Sequence, residues 1–330
     1  MRSITVNKND GGQRLDKFLT KCIKGLPTSL MYKYLRKKRI KLNGKRADGA
    51  DMLTEGDVIT LFIPDEFTED KKSAEDVMLA KPKISVVYED ENIILVSKKP
   101  GQLVHDGDGD DGGNTLIRHI KSYLFLNGEY DPAQENSFAP SLCNRIDRNT
   151  GGIVIAAKNA ETLRAVNEAI KENKTDKRYL LAVHGKPAKN NSIEEGYLFK
   201  NTKTKTVRVS LEPTRGSKPI KTGYKVLDYN KSLDLSLLEV RLYTGRTHQI
   251  RAHMEFLGHP LLGEGKYGVN RNDKRLSYKH QALYSYKMTF MEDEGVLAYL
   301  KGRAFCADPE EIRFLEFFNP EKYSFVFGNK

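Results

Sequence analysis

The segment Leu142-Cys143-Asn144-Arg145-Ile146-Asp147-Arg148-Asn149-Thr150-Gly151-Gly152 runs straight into the apolar stretch Ile153-Val154-Ile155-Ala156-Ala157. A short apolar run of that composition reads as a buried strand, so the polar segment before it must be a loop at the sheet's edge. That loop sets one carboxylate, Asp147, between the guanidiniums of Arg145 and Arg148 in sequence. A carboxylate in a cationic field suits an ionised acid that works beside phosphates.

Other strand signals surround it. Ile84 to Tyr88, the acidic turn Glu89-Asp90-Glu91-Asn92 and Ile93 to Val96 read as strand, turn and strand, followed by Lys98-Lys99-Pro100-Gly101. A further strand, Leu180-Leu181-Ala182-Val183, begins at Tyr179 after Lys177-Arg178. Helical and strand patterns mix without regular β-α alternation, which predicts an α+β domain with a largely antiparallel sheet. At 330 residues and 38% hydrophobic content, one large domain and one small one are expected.

The small one is predicted at residues 1–63. Leu15, Phe18, Leu19, Cys22 and Ile23 recur at helical spacing, and Pro27-Thr28-Ser29 offers a turn and an N-cap for a second helix through Leu30, Tyr34 and Leu35. That helix leads through Arg36, Lys37, Lys38 and Arg39 into Ile40-Lys41-Leu42, closed by the hairpin dipeptide Asn43-Gly44. Helix periodicity puts Lys33, Arg36 and Lys37 on one side, near Arg39 and Lys41, as a phosphate-tracking surface or a solvated face. Residues 64–83 carry Asp65, Glu66, Glu69, Asp70, Glu75 and Asp76 with little apolar periodicity and read as an acidic linker. The large domain is then 84–330, ending in a capped helix start at Asp308-Pro309-Glu310-Glu311 and packing residues Phe314, Phe317 and Phe318.

Lysine plus arginine total 55 against 44 acids, and the net charge of +11 favours polyanionic partners. Cys22, Cys143 and Cys306 are too few and too far apart for a disulfide framework or a zinc knuckle. The stretch Asp106 to Asp111 superficially resembles a calcium loop, but Asp111 and Ile117 stand where an EF-hand needs glycine and glutamate, so no metal is expected. No apolar run has membrane-spanning length, and the N-terminus does not lead into a signal-peptide pattern, so a cytoplasmic protein is expected, without a membrane and as a monomer.

The Asp147 loop resembles the H-R-L-D-x-x-T-S-G loop of the large-ribosomal-subunit pseudouridine synthases, whose aspartate is the catalytic residue. Leu242-Tyr243-Thr244-Gly245-Arg246-Thr247-His248-Gln249-Ile250-Arg251-Ala252-His253 resembles that family's L-x-x-G-R-x-H-Q-I-R-x-H motif, and Lys177-Arg178-Tyr179 its K-x-Y motif. The three stand in the family's order. Tyr88 to Gly101 resembles the start of the family's catalytic domain. Gly12 to Leu19, the basic helix, Ile40 to Lys45 and Glu55-Gly56-Asp57 together resemble a ribosomal-protein-S-four-like RNA-binding domain.

The resemblance implies conversion of uridine to pseudouridine in structured RNA, above all large-subunit ribosomal RNA, in a mixed, largely antiparallel domain with a central RNA-binding cleft. Moving a base from N1 to C5 of the same sugar involves no redox change and no net hydrolysis, so no cofactor is needed. It does need a carboxylate, a pocket that excludes water, and a hold on the freed uracil. By resemblance Asp147 is that carboxylate and Arg251 its ion-pair partner. Such a partner is physically required, because desolvation disfavours any carboxylate's charge. Tyr179 would give uracil a π-face; alone it would read rather as a core tyrosine at a strand edge, and the order of the three motifs changes that balance. A stacked target base must be flipped out, and Arg145 would fill the vacated stack or else pair with a nearby acid. Arg148, Arg246 and His248 join Arg145 as candidate RNA contacts.

From the residues, Thr247 can cap a helix whose Ile250, Met254 and Leu257 pack inward and which Gly258 and Pro260 end, so that His248 and Arg251 share a face towards the cleft. Leu257 to Glu264 with Tyr267-Gly268 resembles a closing loop of structural or RNA-facing character. Asn144, Ile146 and Gly151 stand where the family usually has His, Leu and Ser, departures that bear on the subfamily. A catalytically silent RNA-binding or assembly factor, and a synthase acting on transfer RNA, are the competing readings. A methyltransferase lacks its glycine loop here, and hydrolytic glycosidases need a second carboxylate that Asp147 does not have in sequence.

Overall fold

A computed structural model describes residues 1–23, 25–67, 81–105, 114–268, Asp273, Leu276 and 278–328. Most of the acidic linker and the acidic stretch from Asp106 to Asp111 lie outside the described residues.

The N-terminal part comprises β1 (Arg2–Thr5), α1 (Leu15–Cys22), α2 (Thr28–Arg36), β2 (Ile40–Leu42), β3 (Lys45–Arg46) and β4 (Val58–Leu61). Its strands form a sheet in the order β1-β4-β2-β3. The helical spacing does what it predicts: Leu15, Phe18 and Leu19 from α1 and Met31 and Leu35 from α2 are buried against Ile40, Ile59 and Leu61. Asn43 and Gly44 both take left-handed φ, 50° and 74°, which sets Leu42 opposite Lys45. One detail differs from expectation. Pro27 is the N-cap of α2 and no side chain caps it; the fixed φ of proline, here −58°, starts the helix at Thr28. Lys33, Arg36, Lys37 and Arg39 are exposed and Lys41 is half-buried. Buried Asp10 ties this part to the rest, accepting hydrogen bonds from Ser137 Oγ and Asn136 Nδ2, both at 2.6 Å.

The second sheet takes β5 (Val86–Glu89), β6 (Ile93–Lys98), β7 (Ser141–Leu142), β8 (Gly151–Ala157), β9 (Thr175–His184), β10 (Asn191–Asn201), β11 (Thr206–Ser210), β12 (Lys218–Asn230), β13 (Leu235–Leu242), β14 (Leu283–Phe290) and β15 (Ala304–Cys306). The order is β11-β10-β12-β13-β9-β14-β8-β6-β5, with β15 added on β14 and β7 on β8. Helices α3 (Leu116–Leu126), α4 (Ala160–Lys171) and α5 (Gln249–Phe256) lie against it. This is the expected α+β architecture with a largely antiparallel sheet. Among the described pairings, β8 with β14 is parallel.

That parallel pair sits where the Asp147 loop enters the sheet. Gly151 and Gly152 oppose Tyr284 and Ser285. A Cβ on Gly151 would lie 2.3 Å from the Tyr284 ring, and one on Gly152, whose φ is +118°, 2.3 Å from the Ser285 carbonyl. The double glycine is what lets β8 close on β14, and the Tyr284 ring takes the space that a serine at position 151 would need.

Two faces of the sheet are covered differently. Ile250 and Met254 of α5 pack on Tyr179, Leu181 and Val240. On the other face Phe314, Leu315 and Val326, from 3-10 turns near the C-terminus, and Phe318, which follows one of them, join Leu180, Leu237 and Tyr286. Asp308 caps the turn Pro309–Glu311 as expected, accepting from Glu310 N at 3.0 Å.

Candidate active site

At the α5 face, a cleft of about 710 Å³ is lined by Arg145, Asp147, Tyr179, Arg246, His248 and Arg251, with Lys177 beside them. That volume lies in the range of small-molecule binding sites. Three segments far apart in sequence thus converge.

The Asp147 loop is held along its length. Asn144 Oδ1 accepts from Ile155 N at 2.8 Å, and its amide donates to the Ile153 carbonyl at 3.4 Å, stitching the loop to β8. Ile146 is buried in the α3 layer, while Arg145 and Asp147 line the cleft on either side of it. Thr150 N closes the turn on the Asp147 carbonyl at 3.0 Å. Beneath it lies Lys98, fully buried, whose Nζ donates to the carbonyls of Lys99, Gln102 and Arg148 at 3.0, 2.9 and 2.8 Å. Burial pulls its pKa down to about 7, with the Asp147 charge opposing.

Arg251 lies between two carboxylates. Its Nη1 donates to Asp147 Oδ2 at 2.8 Å, while Nε and Nη2 donate to Glu264 Oε2 and Oε1 at 2.8 and 2.6 Å. The Glu264 side chain is 0% exposed, that of Arg251 7% and that of Asp147 27%. The dry end of the array therefore faces the protein and the wet end faces the cleft. Burial works against the Arg251 charge, but Glu264 and Asp147 outweigh it and hold its pKa above the ordinary arginine value.

His248 departs from expectation. It is the N-cap of α5, in the left-handed region at φ 52°, a conformation uncommon outside glycine and found at strained functional positions. Thr247 caps nothing. Instead Gln249 reaches back and its Oε1 accepts from Arg246 N at 3.0 Å and from Thr244 Oγ1 at 2.9 Å. The Tyr267 hydroxyl accepts from Val207 N at 3.0 Å and lies 2.8 Å from His248 Nδ1. The other ring nitrogen, Nε2, lies 3.7 Å from Asp147 Oδ2. Burial holds the His248 pKa below its ordinary value, against the pull of Asp147, so the ring is neutral at neutral pH.

Tyr179 is 8% exposed and burial pushes its hydroxyl up to about 12. It lies inside β9, which starts at Thr175, rather than at the strand's first residue. Arg145 and Arg246 are exposed at the rim. Arg148 is not brought into the cleft lining: its Nε donates to the Gly101 carbonyl at 3.0 Å and its own carbonyl anchors Lys98. The basic residues of α2 and β2 are likewise outside this lining.

Sequence reasoning left out Glu264, Tyr267 and Lys98. Glu264 and Tyr267 fall in the segment read as a closing loop, which also carries His259 and Lys266, so no sequence signal set these two apart. Lys98 stood in the stretch that resembles the start of the family's catalytic domain, with no role assigned to it. Among the described residues no group of histidine, cysteine and carboxylate side chains is arranged to hold a metal, and no helix is long and apolar enough to cross a membrane.

Residues 92–256, which contain the Asp147 loop, β9 and α5, match the family model described as RNA pseudouridylate synthase. The chain is 32% identical over 292 residues to an uncharacterized RNA pseudouridine synthase of Mycoplasma genitalium, covering 86% of this chain and 88% of the relative. It is 30% identical over 283 residues to ribosomal large subunit pseudouridine synthase C of Escherichia coli, covering 84% and 83%. In solved structures it is similar in fold to human RNA pseudouridylate synthase domain containing 1, with a TM-score of 0.55 at 20% identity over 74% of this chain and 87% of that one. With its mixed sheet and its converging motifs, the chain belongs to the RNA pseudouridylate synthase family and is an isomerase of uridine in RNA.

Proposed function

We propose that this protein converts uridine to pseudouridine in large-subunit ribosomal RNA, with Asp147 as the acting carboxylate. The observation that carries the reading is the 2.8 Å contact of Arg251 Nη1 with Asp147 Oδ2 at the wall of the cleft. It gives the carboxylate a fixed orientation and a permanent positive neighbour while leaving its other oxygen for the substrate.

In this reading the target nucleoside is flipped into the cleft against the Tyr179 ring, whose hydroxyl stays protonated. Asp147 serves the exchange in which the C1'–N1 bond breaks, the C1'–C5 bond forms, the C5 hydrogen leaves as a proton and N1 takes up a proton. Arg145, exposed two residues away, enters the vacated stack. Arg246 and neutral His248 contact the extruded nucleotide at the rim, and Arg148 acts through the loop's shape rather than by touching RNA. The N-terminal part, residues 1–63, grips RNA through Lys33, Arg36, Lys37, Arg39 and Lys41. Arg39 and Lys41 are already braced over the Tyr34 and Phe62 rings at 5.9 and 5.5 Å. Ribosomal RNA is favoured because the Escherichia coli relative is named for the large ribosomal subunit.

Mapping pseudouridines in cells with and without the protein tests this. The reading expects sites to vanish from large-subunit ribosomal RNA; sites lost only from transfer RNA would replace that substrate, and no lost sites would leave a silent binding factor.

A further inference from the structure

The hairpin formed by β10 and β11 carries a charge density that the chemistry in the cleft does not use. From Lys200 to Lys218 the chain has Lys200, Lys203, Lys205, Arg208, Arg215 and Lys218 against one acid, Glu212. That surplus of five is close to half the chain's net +11. All six cations are exposed. Like charges crowded this way raise a local positive potential that a polyanion relieves.

One face of the hairpin is committed to packing. Leu198, Val207 and Val209 bury themselves against Ala252 of α5 and Tyr267. The two-residue period turns their neighbours outward, so Phe199 and Arg208, directly opposite each other in the ladder, share the solvent face. Phe199 is 42% exposed there, an aromatic surface among cations.

Charges on an edge strand also deter pairing with another chain. That explanation covers Arg208, which lies on β11, but not Lys200, Lys203, Arg215 and Lys218, which lie off it. The mounting of the hairpin favours another role. Val207 N donates to the Tyr267 hydroxyl, which also meets His248 Nδ1, and the Arg251 guanidinium lies 5.4 Å from the centre of the same ring. The hairpin is thus fixed to the residue that touches two walls of the cleft, and whatever it grips is held beside that cleft.

We propose that the β10–β11 hairpin is a second RNA-backbone contact: its cations hold the phosphates of the strand flanking the target uridine, and Phe199 offers a flanking base a stacking face. The proposal rests on the reading of the chain as an RNA-modifying enzyme and adds a surface that neither the catalytic motifs nor the N-terminal basic residues supply.

The test is the full chain with Lys203→Gln, Arg208→Gln and Lys218→Gln together. These are exposed positions outside the cleft, and an unchanged melting temperature shows that the fold is kept. Binding to a short uridine-containing stem-loop RNA is followed as salt is raised from about 50 to about 200 mM, and turnover is measured on the same RNA. Each phosphate that a cation no longer neutralises flattens the slope of log affinity on log salt by roughly 0.7 to 0.9, so the triple variant should lose about 2 units or more. KM should rise while kcat at saturating RNA stays unchanged. An unchanged slope and affinity would overturn the proposal. So would an equal loss of binding to polyglutamate, which would make the hairpin a general surface for acidic chains. A flattened slope in a protein that never converts uridine would instead refute the reading of the cleft and leave the RNA contact standing.

Discussion

Glu264 grips the Arg251 guanidinium through both carboxylate oxygens, at 2.8 and 2.6 Å, and so fixes the direction in which its remaining nitrogen points, which is at Asp147. A flexible arginine could reach Asp147 in many rotamers. Held bidentately on its buried side, it can reach in one. The Asp147 carboxylate is thereby positioned from behind by a second carboxylate whose side chain is fully buried.

Glu264→Gln should keep the fold and RNA affinity but lower kcat, because an amide can accept only one of the two charge-assisted bonds. Losing a hydrogen bond to a charged group costs about 1.5–3 kcal/mol, which is roughly a 10- to 100-fold fall in rate. Glu264→Asp, which keeps the charge on a shorter arm, should lose less. Equal kcat in wild type and Glu264→Gln would show that Arg251 needs no anchor.

Arg251→Met should be the more damaging change, since it leaves two carboxylates facing each other without a cation. Breaking a buried pair by removing one partner costs about 3–5 kcal/mol, so a lowered denaturation midpoint should accompany the loss of turnover. A folded Arg251→Met protein as active as wild type would remove the ion pair from the account.

Lys98 sets a pH signature of its own. Its pKa falls from 10.5 in the open chain to about 7 in the fold. Between those values the unfolded state holds a proton that the folded state has released, so the Lys98 contribution makes stability rise with pH from about 7 to about 10.5. Urea midpoints at steps across that range should rise less steeply in Lys98→Met than in wild type. Identical slopes would mean that the buried amine is not titrating there.

Neutralising Lys33, Arg36 and Lys37 to glutamine should weaken binding of structured RNA and flatten its salt dependence by roughly 0.7 to 0.9 for each phosphate released, with kcat at saturating RNA unchanged. A slope equal to that of wild type would return this helix face to ordinary solvated charge.

Local patterns in the sequence carried much of this architecture. The Leu15–Phe18–Leu19 spacing, the Asn43-Gly44 turn and the apolar run after Gly152 each encode an element through nearest neighbours, and each is found in the structure. The convergence of Asp147, Tyr179 and Arg251 on one cleft was reachable because each lies in its own recognisable motif. Glu264 was not reachable in that way. Its role depends on a contact thirteen positions back along the chain to one side of Arg251, and no local periodicity records which polar loop residue points inward. Thr247 misled for a related reason. A threonine before a helix is ordinarily a cap, but here His248 takes the left-handed conformation and Gln249 supplies the bonds to the preceding loop. Arg148 shows the limit of reading charge from neighbours in sequence: it flanks Asp147 along the chain and turns away to the Gly101 carbonyl in space.

The central claim is that the Asp147 carboxylate carries out the bond exchange, and release of tritium from RNA labelled at uridine C5 reports that exchange directly, because the C5 hydrogen must leave when C1' takes its place. Wild type should release label with turnover. Asp147→Ala and Asp147→Asn should release none above background while binding the same RNA nearly as tightly. Substantial release by either folded variant would contradict the account, since the chemistry would then belong to another residue of the cleft.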